Sequence, residues 1–338
     1  MKATWFTRIA GAAGVVLMIA ACGGGGGGGT EGPSAGAVES VRYLTSFNTF
    51  GRDAYAYVAL EKGYFTEAGL NVDIKPGTGT VDAMKLLAGG RADFGIGDFT
   101  GTLITTAKEK LPVIAVGMVH QNSLAAIIAL EEGGIRTPKD LEGKTIGDQP
   151  GSTVQVTFPV YAKAAGIDAS KVKFVPGAPP ALPQLLASGR VDAIGQFVVG
   201  RGLIEKAAQG KKAIVLPYGE VLPDLYGNAL LTSNTMAREK PEVVKKFIAA
   251  LFKGLEYSLA NPEESGEILK KYQPTQNAEV AAAEIRAMAP YVAAQGQTIG
   301  VVSKAKVEAN IKLLTESGAI PAGMTPEQVI DLSLTPQG

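Results

Sequence analysis

The sequence predicts an α/β protein of two lobes, each built on a mostly parallel sheet that is flanked by helices. From Ser40 onward, strand-like and helix-like stretches alternate along the chain, which is typical of parallel sheets covered on both faces. The segment LLAGGRAD at 86–93 recurs 99 residues later as LLASGRVD at 185–192, with six of eight positions identical. Because both copies end a helix at a glycine and lead into a strand, we expect two similarly built lobes. The length of 338 residues fits two domains of ordinary size.

The first lobe opens with four predicted strands and three predicted helices. The strands span 41–47, 71–75, 92–97 and 112–119, and the helices span 54–62, 81–88 and 101–108. The tail is predicted to pack as helices on the first lobe, over 241–260, 262–271, 278–289 and 303–317. Apolar stretches near 124–126 and 228–230 are the expected crossings between the lobes. Lobe 1 is therefore assigned residues 38–126 and 228–338, and lobe 2 residues 127–227.

The composition excludes several classes of function. Lys and Arg together number 32, as do Asp and Glu, so the chain lacks the basic footprint of a nucleic-acid-binding protein. The single cysteine allows no internal disulfide, and the single histidine allows no histidine-based metal site of the usual ligand number. We therefore expect no metal, no cofactor and no nucleic acid among the binding partners.

The amino terminus has the features of an export signal, which we assign to residues 1–21. A positively charged start precedes 12 apolar residues at 9–20, a stretch too short to cross a bilayer. The residues Ile19-Ala20-Ala21-Cys22 resemble a bacterial lipobox, and in that resemblance Cys22 is lipidated and becomes the first mature residue. A glycine run at 23–29 then starts a flexible tether over residues 22–37. We expect a lipid-anchored, extracytoplasmic protein, in the periplasm or on the outer face of the cell membrane. A lone buried cysteine, or a signal cut elsewhere, is the alternative.

No catalytic motif is present in the sequence. No GxSxG elbow and no GxGxxG follows a predicted strand, and the chain has no Walker A sequence. His120 ends a predicted strand and has no cysteine to activate, so we expect it at the surface or at a sheet edge. The prediction is therefore a protein that is not an enzyme.

Hydrogen-bonding and aromatic residues follow the predicted strands, at the ends where ligands bind in open α/β sheets. They occur in five loops, at 46–55, 77–80, 97–100, 148–153 and 195–197. Thr80, Asp98 and Ser152 are also good helix N-caps, and Phe47 and Phe197 are also suited to a core. Their shared position after strands predicts a cleft.

The segment YAYVALEKGYFTEAGLNV at 55–72 resembles type II solute-binding proteins of ABC importers, where the first helix passes to the second strand. The subgroup is the one for nitrate, taurine, aliphatic sulfonates and the thiamine pyrimidine precursor. TPKDLEGKTIG at 137–147 is similar to the family's entry into the second lobe, and NPEE at 261–264 to its tail. The resemblance implies a periplasmic-binding-protein type II fold that closes on a small ligand and delivers it to an ABC permease and its ATPase. We expect a monomer.

The resemblance also implies a binding site in the loops after the strands of both lobes. The candidate ligand-binding residues are Phe47, Asn48, Arg52, Tyr55, Thr78, Asp98, Ser152, Thr153, Gln196 and Phe197. Phe47, Tyr55 and Phe197 would sandwich a flat ring, and Asp98 would accept hydrogen bonds from a ring amine. These residues favour a thiamine pyrimidine precursor or a flavin-like ring.

Other ligands and functions stay open at this point. Arg52, Ser152 and Thr153 would also suit nitrate, taurine or an aliphatic sulfonate, although Asp98 beside an anion would be costly. An enzyme similar to the eukaryotic pyrimidine-precursor synthase is a further alternative, but that enzyme relies on a cysteine-rich motif and on histidines that this chain lacks. A ligand sensor is the remaining alternative, and the sequence does not separate it from a transport receptor.

Overall fold

The computed structural model describes residues 38–293 and 298–337. The predicted signal at 1–21, Cys22 and the tether at 22–37 lie outside these residues. Two sheets of five strands each organise the described chain, and two short strands form a separate ribbon. In chain order, the strands are β1 (Glu39–Leu44), β2 (Phe47–Asn48), β3 (Leu70–Lys75), β4 (Gly77–Thr78), β5 (Phe94–Asp98), β6 (Val113–Met118), β7 (Ala125–Leu130), β8 (Thr145–Asp148), β9 (Lys173–Pro176), β10 (Ala193–Phe197), β11 (Ala213–Pro217) and β12 (Asn228–Ser233). The α-helices are α1 (Ala54–Glu61), α2 (Tyr64–Glu67), α3 (Thr80–Ala88), α4 (Phe99–Glu109), α5 (Thr153–Ala164), α6 (Leu182–Ala187), α7 (Arg201–Ala207), α8 (Tyr218–Val221), α9 (Asn234–Glu239), α10 (Pro241–Ala260), α11 (Pro262–Tyr272), α12 (Ala278–Val292) and α13 (Lys304–Glu316).

The first sheet has the strand order β3-β1-β5-β12-β6. β1 pairs in parallel with β3 and β5, whereas β12 pairs antiparallel with both β5 and β6. Four strands therefore run in one direction and β12 runs in the other. Because β12 follows the second sheet in the sequence, the first sheet is built from two separate parts of the chain.

The second sheet has the strand order β11-β7-β10-β8-β9. β8 pairs in parallel with β9 and β10, and β7 pairs antiparallel with β10 and β11. Each sheet thus holds four strands of one direction and one reversed strand. The predicted α/β class, with mostly parallel sheets flanked by helices, is confirmed.

The repeated sequence segment corresponds to a repeated structure. Gly90 and Gly189 each end a helix at positive φ, 64° and 69°, a backbone region that glycine enters without steric cost. The aspartate that follows then bonds the neighbouring strand in the same way. Asp93 accepts the backbone N–H of Arg42 at 2.8 Å, and Asp192 accepts that of Thr145 at 2.7 Å. Each aspartate therefore fixes the start of its own strand to a neighbour in its own sheet.

The C-terminal helices pack on the first sheet, as the sequence predicts. Phe247 of α10 stacks on Phe94 of β5, with ring centroids 4.1 Å apart, and on Phe65 at 5.3 Å. The tail also reaches the second sheet's helices, because Lys163 of α5 donates to the carbonyl of Glu316 at 2.9 Å. No helix among residues 38–293 and 298–337 combines the length and the apolar character needed to cross a membrane.

Candidate ligand-binding site

A pocket lies between the two sheets and is lined by residues from both. Its empty volume is about 360 Å³, which includes space open to solvent. The lining residues are Ser46, Phe47, Gly79, Thr80, Ile96, Asp98, Asp148, Ser152, Thr153, Val154, Gly195, Gln196, Phe197 and Asn228. Most are polar or glycine, with a few apolar side chains among them.

Strand direction explains why these residues meet. Asp98, Asp148 and Phe197 are the last residues of β5, β8 and β10, so the carboxyl ends of both sheets face the pocket, as is usual in open α/β folds. Asn228 is instead the first residue of β12. Because β12 is antiparallel to β5, Asn228 pairs with Asp98 and arrives at the same edge.

Asp98 is a buried carboxyl group in the pocket wall. Its side chain is 3% exposed, and its Oδ1 caps α4 by accepting the N–H of Gly101 at 2.9 Å. Within the described residues no side chain forms a hydrogen bond or an ion pair with the carboxyl group of Asp98. Burial raises the pKa of Asp98 to about 7, against a smaller opposing effect of the backbone N–H groups of Gly101 and Thr100. The Asp98 carboxyl group therefore titrates near neutral pH.

Asp148 is a second buried carboxyl group, on the opposite wall. It accepts the hydroxyl of Ser152 and, at 2.7 Å, the N–H of Gln149. Burial raises the pKa of Asp148 to about 6, although these hydrogen bonds favour the ionised form. The carboxylate packs against Gly195, where an added Cβ would lie 2.3 Å from Oδ2. Glycine at position 195 is therefore required by the close approach of Asp148.

Two aromatic rings, one from the ribbon and one from the second sheet, meet at the pocket. Phe47 and Phe197 have ring centroids 6.5 Å apart at an interplanar angle of 64°, an edge-to-face arrangement. The Arg52 guanidinium lies 4.4 Å from the Phe197 ring centroid and donates to the carbonyl of Phe47 at 2.8 Å. Arg52 thus holds both aromatic residues in position from behind the lining.

Polar contacts also join the two walls. The hydroxyls of Thr80 and Thr153 lie 3.1 Å apart across the pocket. The side-chain amide of Gln149 donates to the carbonyl of Thr78 at 2.6 Å. Both contacts hold the walls close together, and a ring-sized molecule in the pocket would have to displace the one between Thr80 and Thr153, which lies within the lining.

The structure brings six of the ten predicted residues together in the lining and leaves four outside it. The six are Phe47, Asp98, Ser152, Thr153, Gln196 and Phe197. Arg52 lies behind the rings, and Asn48 lies in the ribbon at a φ of 59°. Tyr55 is buried in the core with its hydroxyl 3.3 Å from that of Tyr43, and Thr78 is exposed and donates to Asp82.

Sequence reasoning singled out neither Asp148 nor Asn228 for the site. Asp148 is the first residue of the predicted binding loop at 148–153, so its position is a usable signal. Asn228 begins a reversed strand, and only the sheet topology reveals where it lies.

The expectation that His120 lies at the surface is wrong, because its side chain is 1% exposed. The strand that it follows, β6, is nevertheless the edge strand of the first sheet. The segment after β6 is covered where it passes between the sheets, and the N–H of His120 donates to the carbonyl of Asn228 at 3.1 Å. Burial lowers the pKa of His120 to about 3, and the charge of Arg52 acts in the same direction. Neither ring nitrogen has a hydrogen-bond partner among the described residues.

Among the described residues, no group of three or more His, Cys, Asp or Glu side chains is placed to hold a metal ion. The chemistry that the pocket offers is hydrogen bonding and aromatic contact.

Two α/β sheets with a pocket between their strand ends define the periplasmic-binding-protein type of fold. Solved structures agree: the alkanesulfonate-binding protein SsuA from Xanthomonas axonopodis pv. citri, bound to MOPS, superimposes with a TM-score of 0.71 at 16% identity. The match covers 87% of this chain and 99% of that one. The chain belongs to the NMT1/THI5-like family, which it matches over residues 53–265.

Two curated proteins that are similar to this chain carry names of different functions. The formylaminopyrimidine-binding protein of Halalkalibacterium halodurans is 28% identical over 243 residues, which cover 71% of this chain and 73% of the relative. The 4-amino-5-hydroxymethyl-2-methylpyrimidine phosphate synthase of Legionella pneumophila is 24% identical over 227 residues, or 64% and 68% of the two chains. The relatives therefore include a binding protein and an enzyme.

Proposed function

We propose that this protein is the solute-binding component of an ABC importer and captures a small heteroaromatic ligand, such as a thiamine pyrimidine precursor or a flavin-like ring. The observation that carries the proposal is the pocket between the two sheets, each wall of which holds one aromatic ring and one carboxyl group. Phe47 and Asp98 come from one wall, and Phe197 and Asp148 from the other. Such a pocket combines apolar faces with a few fixed polar groups, as small-molecule sites do.

The name of one relative supports the ligand class. The protein of Halalkalibacterium halodurans is named for binding a formylaminopyrimidine, and the present pocket has groups that suit a pyrimidine. Phe47 and Phe197 offer two ring faces or edges, and Asp98 offers an acceptor for a ring amine. Receptors for nitrate, taurine or aliphatic sulfonates remain the alternative ligand classes within this proposal.

The proposed mechanism is closure of two lobes about the ligand. Lobe 1 comprises residues 38–126 and 228–338, lobe 2 comprises residues 127–227, and the hinges lie near 124–126 and 228–230. Support comes from the contacts between the walls, Thr80 with Thr153 and Gln149 with the Thr78 carbonyl. Opening about two chain crossings would break these contacts and expose the pocket.

The remaining parts of the proposal concern the location and the partners. The lipobox resemblance at Cys22 supports a lipid anchor and an extracytoplasmic location, where a receptor meets its ABC permease and ATPase. Replacing Cys22 by Ser should move the protein from the membrane fraction to the soluble fraction of the producing cells. An unchanged membrane fraction would exclude the anchor.

Calorimetric titration of the purified full-length protein tests the function directly. We expect an aminopyrimidine or riboflavin to bind with a dissociation constant in the micromolar range or below, and small-angle scattering to report a smaller radius of gyration with ligand. No heat with any of the aminopyrimidines, riboflavin, sulfonates or nitrate would refute the solute-binding proposal.

A matched pair of variants tests the role of the aromatic pair. Phe197→Leu keeps an apolar side chain but removes the ring face, so it should weaken a ring ligand at least tenfold. Phe174→Leu alters a phenylalanine of the same sheet that lies outside the lining, and it should leave the affinity unchanged. Equal affinities for the two variants would exclude Phe197 from ligand binding.

The competing function is that of a pyrimidine-precursor synthase, the name that another relative carries. We propose no catalysis for this chain, because its only cysteine is Cys22 and its only histidine, His120, lies outside the pocket lining. Incubation of the purified protein with candidate pyrimidine-forming substrates should give no product. Product formation would favour the enzyme.

A further inference from the structure

The lining hydroxyls of Thr80, Ser152 and Thr153 are already hydrogen-bonded within the protein. The Ser152 hydroxyl donates to Asp148, and the hydroxyls of Thr80 and Thr153 bond to each other at 3.1 Å. The Arg52 guanidinium lies over the Phe197 ring, but it donates to the Phe47 carbonyl and lies outside the lining. None of the described residues that line the pocket is a lysine or an arginine. A ligand anion would therefore enter a site without a free cation.

The same lining contains two buried carboxyl groups, one from each sheet. Asp98 is 3% and Asp148 is 2% exposed. Asp148 is satisfied by Ser152 and by backbone N–H groups, whereas Asp98 has only backbone donors at its helix-capping oxygen. A buried carboxyl group with no side-chain partner still has capacity to accept a hydrogen bond from a ligand.

We infer that this pocket selects neutral or cationic nitrogen heterocycles that present N–H donors, and rejects solutes that carry a phosphate, sulfonate or other acid group. Asp98 is the acceptor for the ligand N–H. Asp148 acts as a specificity-determining residue, because it occupies the Ser152 hydroxyl and places a carboxyl group on the second wall. The inference rests on the proposed function and adds the charge and the hydrogen-bonding character of the ligand.

The physical reason lies in the cost of bringing two like charges together in a buried space. An anion beside Asp98 and Asp148 requires both carboxyls to hold protons, or else it meets unscreened repulsion at low dielectric. An amine-bearing ring meets the opposite situation, since each N–H finds an acceptor. Asp98 in its protonated form also donates to a ring nitrogen, so an aminopyrimidine suits either protonation state.

The experiment compares four solutes on the full-length protein at pH 7.5 by calorimetry. They are 4-amino-5-hydroxymethyl-2-methylpyrimidine, its phosphate monoester, the analogue in which a methyl group replaces the amine, and MOPS. We expect the phosphate ester and MOPS to bind at least 100-fold more weakly than the amine, and the methyl analogue at least tenfold more weakly.

Two variants assign the effect to the carboxyl groups. Asp98→Asn keeps a helix-capping oxygen and should weaken the amine at least tenfold. Asp148→Asn removes the charge next to Ser152. It should reduce the ratio of the affinity for the amine to the affinity for its phosphate ester at least tenfold. Asp192→Asn is the control, since Asp192 bonds Thr145 outside the lining, and it should change none of the four affinities.

The outcomes separate this inference from the proposed function. Tight binding of the phosphate ester or MOPS would overturn the inference but leave a solute-binding protein. Equal binding of the amine and its methyl analogue would overturn the role of Asp98. Absence of binding by all four solutes, together with absence of any heat from riboflavin, taurine and nitrate, would overturn both.

Discussion

Raising the pH from 4 to 7.5 should destabilise this protein through Asp98, even though most carboxyl groups in proteins stabilise the fold as they ionise. The unfolded chain releases the Asp98 proton near the ordinary pKa of 3.8, whereas burial in the fold holds the pKa of Asp98 at about 7. Between these values the folded state binds more protons than the unfolded state. The free energy of unfolding therefore falls as the pH rises. The stabilising contribution of Asp98 is fully present only below about pH 4.

The magnitude follows from the difference between the two pKa values. A difference of roughly three pH units corresponds to about 4 kcal/mol, most of it lost between pH 4 and pH 7. The pKa of Glu284 is raised by burial to about 7 and that of Asp148 to about 6, so both groups add to the same trend. A contribution of about 4 kcal/mol is a large share of the 5 to 15 kcal/mol typical of folded domains.

Urea unfolding of the wild-type protein and of Asp98→Asn, measured from pH 4 to pH 7.5, isolates this contribution. Asparagine cannot ionise and still caps α4, so the variant should lose about 3 to 4 kcal/mol less than the wild type over this range. Asp140→Asn is the control. The N–H groups of Arg136 and Thr137 hold the pKa of Asp140 below its ordinary value, so removing Asp140 should not flatten the curve. Parallel curves for Asp98→Asn and the wild type would refute the reasoning.

Further predictions concern packing and hydrogen bonds outside the pocket lining, with urea unfolding as the measurement. Gly254→Ala should lower the free energy of unfolding by about 2 to 3 kcal/mol, because the new Cβ would lie 2.4 Å from the Tyr55 carbonyl. Gly202→Ala, in a helix with open space around it, should instead stabilise by up to about 1 kcal/mol, and an equal loss in both variants would contradict the steric explanation. Asp192→Ala should cost about 1 to 3 kcal/mol, since it leaves the Thr145 N–H without its acceptor; an unchanged midpoint would mean that water replaces the bond.

The fold could be predicted in large part because its signals are local. Alternating strands and helices, and the glycine that ends each helix before a strand, are visible within a few residues. The repeated segment was the most informative signal, since Asp93 and Asp192 indeed perform the same task in their two sheets. The reversed strands β7 and β12 carry no such signal, because an apolar strand reads the same in either direction.

The site was less predictable because its members depend on pairings between distant segments. Residues that follow parallel strands were found, and Asp98 and Phe197 are examples. Asn228 precedes its strand, and it reaches the pocket only because β12 lies antiparallel between β5 and β6. Tyr55 lies outside the pocket for a related reason. The tail helix α10 covers α1, the helix that carries Tyr55, and the ring faces the core. Neither fact is encoded near the residue concerned.

Ligand entry has to compete with contacts that the two walls already make. Thr80 and Thr153 bond across the pocket, Phe47 and Phe197 meet edge to face, and all four residues line it. A ring in the pocket replaces these contacts, so the net free energy of binding is smaller than its buried area alone suggests. The bond from Gln149 to the main chain of the opposite wall lies outside the lining, and a ring does not displace it. The proposed closure therefore depends on some contacts that compete with the ligand and on one contact that does not. Only the second kind would stabilise the closed state without opposing binding.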